Sequence, residues 1–135
     1  TPTMKIGATA RFTLDRAVDS FDAYTTNELG LNHTLLLGNG RFVLTTATYG
    51  IDEYDEPDPS VSFDNRRDNT LRVRSTYGTP IGAVADALGA PTLPRGIADI
   101  LWTFTVEGTW AESTITNFSY NNYKLQTLLT KRWEF

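Results

Sequence analysis

The stretch that decides the fold is Ser60–Tyr77, Ser-Val-Ser-Phe-Asp-Asn-Arg-Arg-Asp-Asn-Thr-Leu-Arg-Val-Arg-Ser-Thr-Tyr. Polar and apolar residues alternate on both sides of a segment rich in turn formers, Asp64 to Asn69. Because successive side chains of a strand point to opposite faces, this pattern predicts a β-hairpin with two unlike faces. The apolar face would hold Val61, Phe63, Leu71 and Val73, and the polar face would hold Ser60, Ser62, Thr70, Arg72 and Arg74.

The polar face of this hairpin has the chemistry of a surface that binds a phosphate backbone. Arginine donates paired hydrogen bonds to phosphate oxygens, and serine and threonine hydroxyls add neutral donors. Arg66 and Arg67 lie at the tip of the predicted turn. An ordinary exposed sheet face, on which arginine and threonine are common, is the alternative interpretation of the same residues.

The composition predicts one folded domain. The chain has 135 residues, of which 40% are hydrophobic and 21% are charged, which suits a single core and not a disordered chain. No stretch predicts a transmembrane helix or a signal peptide. Cysteine is absent, so no disulfide framework or thiolate metal site is expected. His33 is the only histidine, so we expect no histidine-cluster metal site, and a catalytic role would depend on that one imidazole.

The net charge of −4 argues against a nucleic-acid partner until the positions of the acidic residues are considered. Five of the sixteen acidic residues lie in the segment from Asp52 to Asp58. The rest of the chain contains twelve basic and eleven acidic residues, so its net charge is close to zero. We expect this acidic cluster to form a solvated loop, stiffened by Pro57 and Pro59, that does not oppose a basic sheet face. A calcium site is the alternative, but the glycine and the terminal glutamate of a helix–loop–helix calcium motif are missing.

Further strands are predicted on both sides of this hairpin. Lys5–Leu14 alternates, and Gly38-Asn39-Gly40 predicts a tight hairpin turn because glycine and asparagine tolerate positive φ. Gly78–Gly96 predicts a long loop with one or two helical turns at Ala83–Leu88. Ile97–Val106 is the clearest strand, with Ile100, Trp102, Phe104 and Val106 on one face and Asp99, Leu101, Thr103 and Thr105 on the other.

The C-terminal region predicts a helix that follows this strand. Gly108 would end the strand, and Thr109–Glu112 has the spacing of a capping box. A helix about 10 Å across covers about three strands spaced about 4.8 Å apart, so one helix cannot cover a sheet of five or more strands. A second copy would have to cover the rest, which predicts an obligate homodimer. The helical stripe would consist of Ile115, Phe118, Leu125, Leu128 and Leu129.

These features resemble the coat proteins of the single-stranded RNA bacteriophages, the levivirus type. The resemblance covers most of Ser60–Leu129. It rests on Ser60-Val-Ser62, the turn Asn65–Asn69, Leu71-Arg-Val-Arg74, a loop ending Pro91-Thr-Leu-Pro94, the strand Ile97–Val106, the helix start Gly108–Ser113 and Leu128-Leu129.

The resemblance implies an α+β fold, an antiparallel β-meander with N-terminal hairpins and C-terminal helices, in an interlocked dimer with one continuous sheet. Residues 1–135 would form a single coat-protein domain. Hairpins and the acidic loop would occupy 1–59, the central sheet with its 78–96 loop would occupy 60–106, and a helical region would occupy 107–135. The RNA-binding residues carried over by position are Ser60, Ser62, Thr70, Arg72, Arg74, Thr103 and Thr105.

The implied function is that of a structural capsid protein, assembled in the cytoplasm of a bacterial host and located in the virion. Dimers would form an icosahedral shell with genomic RNA on the inner sheet face, and family members also repress translation through an RNA hairpin. We expect no enzymatic activity, no cofactor and no membrane partner. Two other classes stay open: a small-ligand β-barrel of the lipocalin or fatty-acid-binding type, suggested by Gly108-Thr-Trp110, and a cystatin-like enzyme that would use His33.

Overall fold

The computed structural model describes residues 3–131, which form one antiparallel sheet. Its six strands lie side by side in chain order, so the predicted antiparallel meander is confirmed. The sheet is open, because the first and last strands are its two edges. The strands are β1 (Thr3–Asp15), β2 (Tyr24–Gly38), β3 (Arg41–Tyr54), β4 (Arg67–Pro80), β5 (Leu101–Ser113) and β6 (Tyr120–Thr130). Two short helices, α1 (Ile81–Ala87) and α2 (Arg95–Ala98), connect β4 to β5, and 3-10 turns lie at Ser20–Asp22 and Thr116–Phe118.

The strand register gives the sheet two unlike faces. Residues paired across antiparallel strands point to the same side, so the pairing can be followed from β1 to β6. The apolar face is defined here as the side that carries Met4, Ile6, Leu31, Ala47, Val73, Phe104, Val106 and Leu125. The polar face is the side that carries Lys5, Thr9, Thr48, Arg72, Arg74, Thr105, Thr109 and Lys124.

Several local predictions are confirmed. β1 contains Lys5–Leu14, and α1 contains most of the helical turns expected at Ala83–Leu88. The β2–β3 turn has positive φ at three successive residues, Gly38 (83°), Asn39 (51°) and Gly40 (73°). β5 starts at Leu101, later than the predicted Ile97, because α2 and its end occupy the preceding residues.

The predicted strand at Ser60–Phe63 is wrong. These residues lie in the β3–β4 connection, and β4 pairs with β3 instead. The Asp58 carboxylate accepts hydrogen bonds from the backbone N–H and the hydroxyl of Ser60, at 2.8 and 2.6 Å, which makes a local turn. The strand preference of four alternating residues next to Pro59 is weaker than the preference of this segment for the turn. The β4 half of the predicted hairpin is confirmed, with Leu71 and Val73 on the apolar face.

The predicted C-terminal helix is also wrong within the described residues. β5 runs through Gly108 to Ser113, and β6 pairs with it in antiparallel register. Gly108 does not end the strand; its missing side chain leaves room for the Trp110 indole, which a Cβ there would overlap. On β6 the apolar face carries Tyr123, Leu125 and Leu129, but the polar Thr127 between them hides the period of two. The remainder of the predicted helical region, residues 132–135, lies outside the described part of the chain.

No second layer packs on the sheet within residues 3–131. The short helices contact each other and β4, so the expectation that helices cover the apolar side is not met by one chain alone. On β5 the usual order of burial is reversed, because Thr105 and Thr109 are buried whereas Trp102, Phe104 and Val106 are 40% to 47% exposed. None of the helices described is long and apolar enough to cross a membrane.

Candidate nucleic-acid interface

The polar face brings together five of the seven residues predicted to bind RNA. Because β4 and β5 are neighbours in register, their polar side chains form a continuous surface. The Thr76 hydroxyl lies 2.9 Å from that of Thr105 across the two strands, which orders the hydroxyl groups on this surface. The five residues that meet here are Thr70, Arg72 and Arg74 of β4 and Thr103 and Thr105 of β5.

Positive charge is concentrated in the middle of the polar face. Arg74 pairs across the sheet with Glu107, which pairs with Lys124, and Arg72 lies in the next row along β4. Lys5 of β1 lies in the adjoining row on the other side. These three rows, called the cationic middle below, hold four cations and one carboxylate, a net charge of +3. Uncharged polar groups occupy most of the other positions, namely Thr9, Asn32, Thr34, Thr46, Thr48, Thr76, Thr105, Thr109, Asn122 and Gln126.

Glu107, the one carboxylate in the cationic middle, does not prevent the two arginines from binding an anion. Arg74 Nε lies 4.0 Å from Glu107 Oε2, and the Arg74 side chain is 52% exposed. The separation is long and the arginine is half exposed, so this pair is a weak one and an incoming phosphate can compete with it. Arg72 forms no ion pair with any residue between 3 and 131. Both guanidinium groups can therefore bind an anion.

Acidic side chains occupy the opposite end of the polar face. Asp52 and Asp68 are paired across β3 and β4, and the Thr26 hydroxyl donates a hydrogen bond of 2.6 Å to Asp52. The expectation that the whole acidic cluster forms a loop away from the sheet is therefore only partly right. Asp52 and Glu53 belong to β3, and only the later members of the cluster lie in the connection. A nucleic acid would be attracted to the cationic middle and repelled from this end.

A cleft of about 460 Å³ lies beside Arg74 on the polar face. The Phe42 ring lies over Gly78, whose missing side chain leaves room for it. An aromatic ring next to a guanidinium and several hydroxyls can hold a flat polar ring such as a nucleobase. The apolar wall consists of Phe42, Leu44 and Leu128, and the polar wall consists of Thr46, Arg74, Thr76, Thr103, Thr105 and Gln126.

The other two predicted residues, Ser60 and Ser62, do not join the polar face. They lie in the β3–β4 connection, where the Ser62 hydroxyl accepts a hydrogen bond of 3.1 Å from the Asp64 N–H. The hydrogen bond from the Ser60 hydroxyl, with a second from its backbone N–H, lowers the pKa of the Asp58 carboxyl. These two serines shape the turn and are not part of the candidate interface.

Arg66 and Arg67, expected at the tip of a hairpin, form contacts with other residues of the chain. Two nitrogens of the Arg66 guanidinium, Nε and Nη2, donate to the Asp68 carboxylate, with Nε 3.1 Å from Oδ1. The same guanidinium lies 3.6 Å from the centroid of the Phe118 ring and 4.6 Å from that of Tyr54. Arg67 starts β4 and lies 3.5 Å from Glu53. Neither residue adds to the cationic middle.

Two of the four cations of the cationic middle, Lys5 and Lys124, were not among the residues predicted to bind RNA. Lys5 was within a correctly predicted strand, so its parity relative to Ala8 and Phe12 could have placed it on the polar face. Lys124 could not be placed, because β6 was predicted as a helix. Thr46 and Thr48 alternate with Ala47 on β3, so the same alternation could have placed these two threonines on the polar face.

The other candidate sites are not supported by a cluster of chemical groups. His33 lies on the apolar face of β2, between Ile6 and Thr45 of the neighbouring strands. No group of three or more His, Asp or Glu side chains that could hold a metal ion occurs among residues 3–131.

Comparison with known proteins adds no relative: no protein-family model, no curated protein and no solved structure matches the chain. The resemblance to phage coat proteins therefore depends on the sequence patterns described above.

Proposed function

We propose that this chain is a structural coat protein of the single-stranded RNA bacteriophage type, which self-associates into a shell and binds RNA on its polar face. The observation that carries the proposal is the cationic middle, a surface of net charge +3 and many hydroxyls that no described element covers. This is the chemistry expected of a surface that contacts a phosphate backbone in many places without reading its sequence.

The positions of the cations suggest how the RNA would run. Lys5 is on β1, the two arginines are on β4 and Lys124 is on β6. Five strand spacings of about 4.8 Å separate the outer lysines, so the cations span about 24 Å across the sheet. An RNA strand that runs across the β-strands would contact all four cations in turn. The cleft beside Arg74 offers a place for a base along that path.

The test is the double variant Arg72→Ala/Arg74→Ala. Each neutralised phosphate releases counterions, and for a single strand the logarithm of the binding constant falls with the logarithm of salt by about 0.7 per contact. If each arginine binds one phosphate, loss of both lowers that slope by about 1.4. RNA affinity should be measured by filter binding over a range of salt, and the RNA content of purified particles by absorbance.

The matched control is Arg67→Ala/Arg95→Ala, which removes the same charge from exposed residues outside the polar face. It should retain most of the parental salt slope and RNA content. Equal loss in the two double variants would mean that net charge, and not this face, determines binding. A parental protein that neither binds RNA nor forms closed shells by negative-stain microscopy would refute the coat function itself.

A further inference from the structure

The apolar face leaves far more surface exposed than a compact chain of this size would. A monomer of 15.0 kDa is expected to expose about 7,000 Å². The chain exposes 9864 Å², an excess of about 2,800 Å² over the expectation for its mass. Most of the large hydrophobic side chains that are exposed belong to the apolar face, including Ile6 at 69%, Leu31 at 58% and Leu125 at 69%. A surface of this kind requires a cover.

Several polar groups on the apolar face already have partners within the chain. The hydroxyls of Thr45 and Ser75 lie 3.2 Å apart, across β3 and β4. The indole of Trp102 donates to the Thr127 hydroxyl at 2.7 Å, and the indole of Trp110 donates to the Tyr123 hydroxyl at 3.1 Å. Covering these groups would therefore leave each of the two indole N–H groups with its acceptor, which lowers the cost of burying these polar atoms.

Charged side chains are absent from four neighbouring rows of the apolar face. These rows run from the row of Met4 and Phe104 to that of Ala10 and Trp110, and within them no Asp, Glu, Lys or Arg is present. Arg41 lies in the next row towards the β2–β3 turn, where its Nε donates to the Gly38 carbonyl at 3.5 Å. Glu112 and the pair Glu53–Arg67 lie beyond the four rows at the other end of the face. A second copy of the same face would therefore meet no like charge in these rows.

The dimensions of the face match those of a stable dimer interface. Six strands spaced about 4.8 Å apart and about 13 residues long at about 3.4 Å per residue give a face of about 1,300 Å². Two such faces would bury about 2,600 Å² together, within the range of about 2,000 to 5,000 Å² for obligate homodimers. Small residues of one row, Ala8, Ala47 and Gly108, lie beside the larger Leu71, Val106 and Trp110 of the two neighbouring rows, so the surface has both depressions and projections.

We propose that the apolar face is the interface between two copies of this chain, packed sheet on sheet. Sheets that pack in this way lie about 10 Å apart with their inner side chains interdigitated. The pairing goes beyond the proposed RNA binding and does not depend on it. It differs from a continuous sheet formed at strand edges, because the strands of the two copies are stacked and not hydrogen-bonded. The pair would present a polar face on each of its two outer sides.

The first test compares Leu31→Asp with Asn32→Asp. These neighbours on β2 are both exposed in the single chain and point to opposite faces, so the two variants add the same charge on opposite sides. Light scattering of the protein before it assembles into shells should give twice 15.0 kDa for the parent and for Asn32→Asp. For Leu31→Asp, which would bury one carboxylate from each copy, the dissociation constant should rise at least about 100-fold.

The second test uses the absence of cysteine and does not depend on a disruptive variant. Ala47→Cys lies at the centre of the apolar face, Thr48→Cys lies next to it on the polar face, and Gln126→Cys lies on the edge strand β6. A short bismaleimide should link two copies of Ala47→Cys and leave Thr48→Cys unlinked. Circular dichroism checks that each variant keeps its sheet.

Three results would overturn the proposal. The first is a monomeric parent at micromolar concentration; co-sedimentation of that monomer with phosphatidylcholine vesicles would identify a lipid surface as the cover instead. The second is a dimer in which only Gln126→Cys is linked, which would place the contact at the strand edge. The third is a Leu31→Asp protein with the parental mass and the parental dissociation constant. RNA binding to the polar face could still hold in the last two cases, so failure of the pairing is distinguishable from failure of the proposed function.

Discussion

Arg66 is held by a carboxylate and two aromatic rings at the point where the β3–β4 connection enters β4. Its guanidinium is bidentate to Asp68, and the rings of Tyr54 and Phe118 flank it. Asp68 is only 8% exposed, so its charge depends on this partner. The arrangement joins three segments that are distant in the sequence, namely the end of β3, the start of β4 and the β5–β6 connection.

Arg66→Ala should therefore destabilise the fold. Removing the guanidinium leaves a buried carboxylate without its partner, which costs about 1 to 3 kcal/mol, and the ring contacts are lost as well. The control is Arg67→Ala, because the Arg67–Glu53 pair is about half exposed and should contribute less than about 1 kcal/mol. Urea unfolding at one fixed protein concentration measures both. Equal midpoints for the two variants would contradict the role given to Arg66.

At the scale of the elements, glycine makes room for two aromatic rings on the surface of the sheet, one on a neighbouring strand and one on the same strand. Gly78 of β4 lies under the Phe42 ring of β3, and Gly108 of β5 lies under the Trp110 indole. On the sequence alone Gly108 indicates the end of a strand, since glycine is unfavourable in strands. In β5, Gly108 leaves space for the Trp110 indole, and the sequence pattern around Gly108 does not reveal this contact.

Gly78→Ala should be destabilising because its Cβ would overlap the Phe42 ring and displace it. Overpacking of this kind costs about 1 to 3 kcal/mol. The same change in a Phe42→Ala background should cost much less, and the difference is the coupling energy of a double-mutant cycle. Gly50→Ala is the control, because nothing lies within 4 Å of the Cβ that it adds to β3. A Gly78→Ala protein as stable as Gly50→Ala would show that the Phe42 ring does not depend on this space.

The strands that were predicted correctly are those whose alternation is uninterrupted. β4 and β5 alternate cleanly around Val73 and Phe104, and positive φ at Gly38–Gly40 follows from the residue types alone. β6 was missed because Thr127 breaks its apolar series, and the nearby leucines then fit a helical period. The false strand at Ser60–Phe63 had alternation but no long-range partner, and local hydrogen bonds to Asp58 decided its conformation.

At the scale of the whole molecule, a single sheet with one apolar and one cationic, hydroxyl-rich face is incomplete by itself. The unlike faces could be predicted from the alternation in β4 and β5, which placed five of the seven candidate residues together. Two features could not be predicted from the sequence: the row of the sheet in which Lys5 lies, and the absence of covering helices within the described residues. Both depend on how distant segments pair. We therefore propose a different cover for each face: RNA for the polar face and a second copy of the chain for the apolar face.

The measurement that tests this assignment most directly is thiol labelling of Thr48→Cys and Ala47→Cys with and without single-stranded RNA. These adjacent positions on β3 are similarly half-buried in the single chain and point to opposite faces. Thr48→Cys should react quickly without RNA and slowly with it, whereas Ala47→Cys should react slowly in both cases. Fast labelling of Ala47→Cys in the absence of RNA, together with no RNA protection at Thr48→Cys, would contradict both proposed covers.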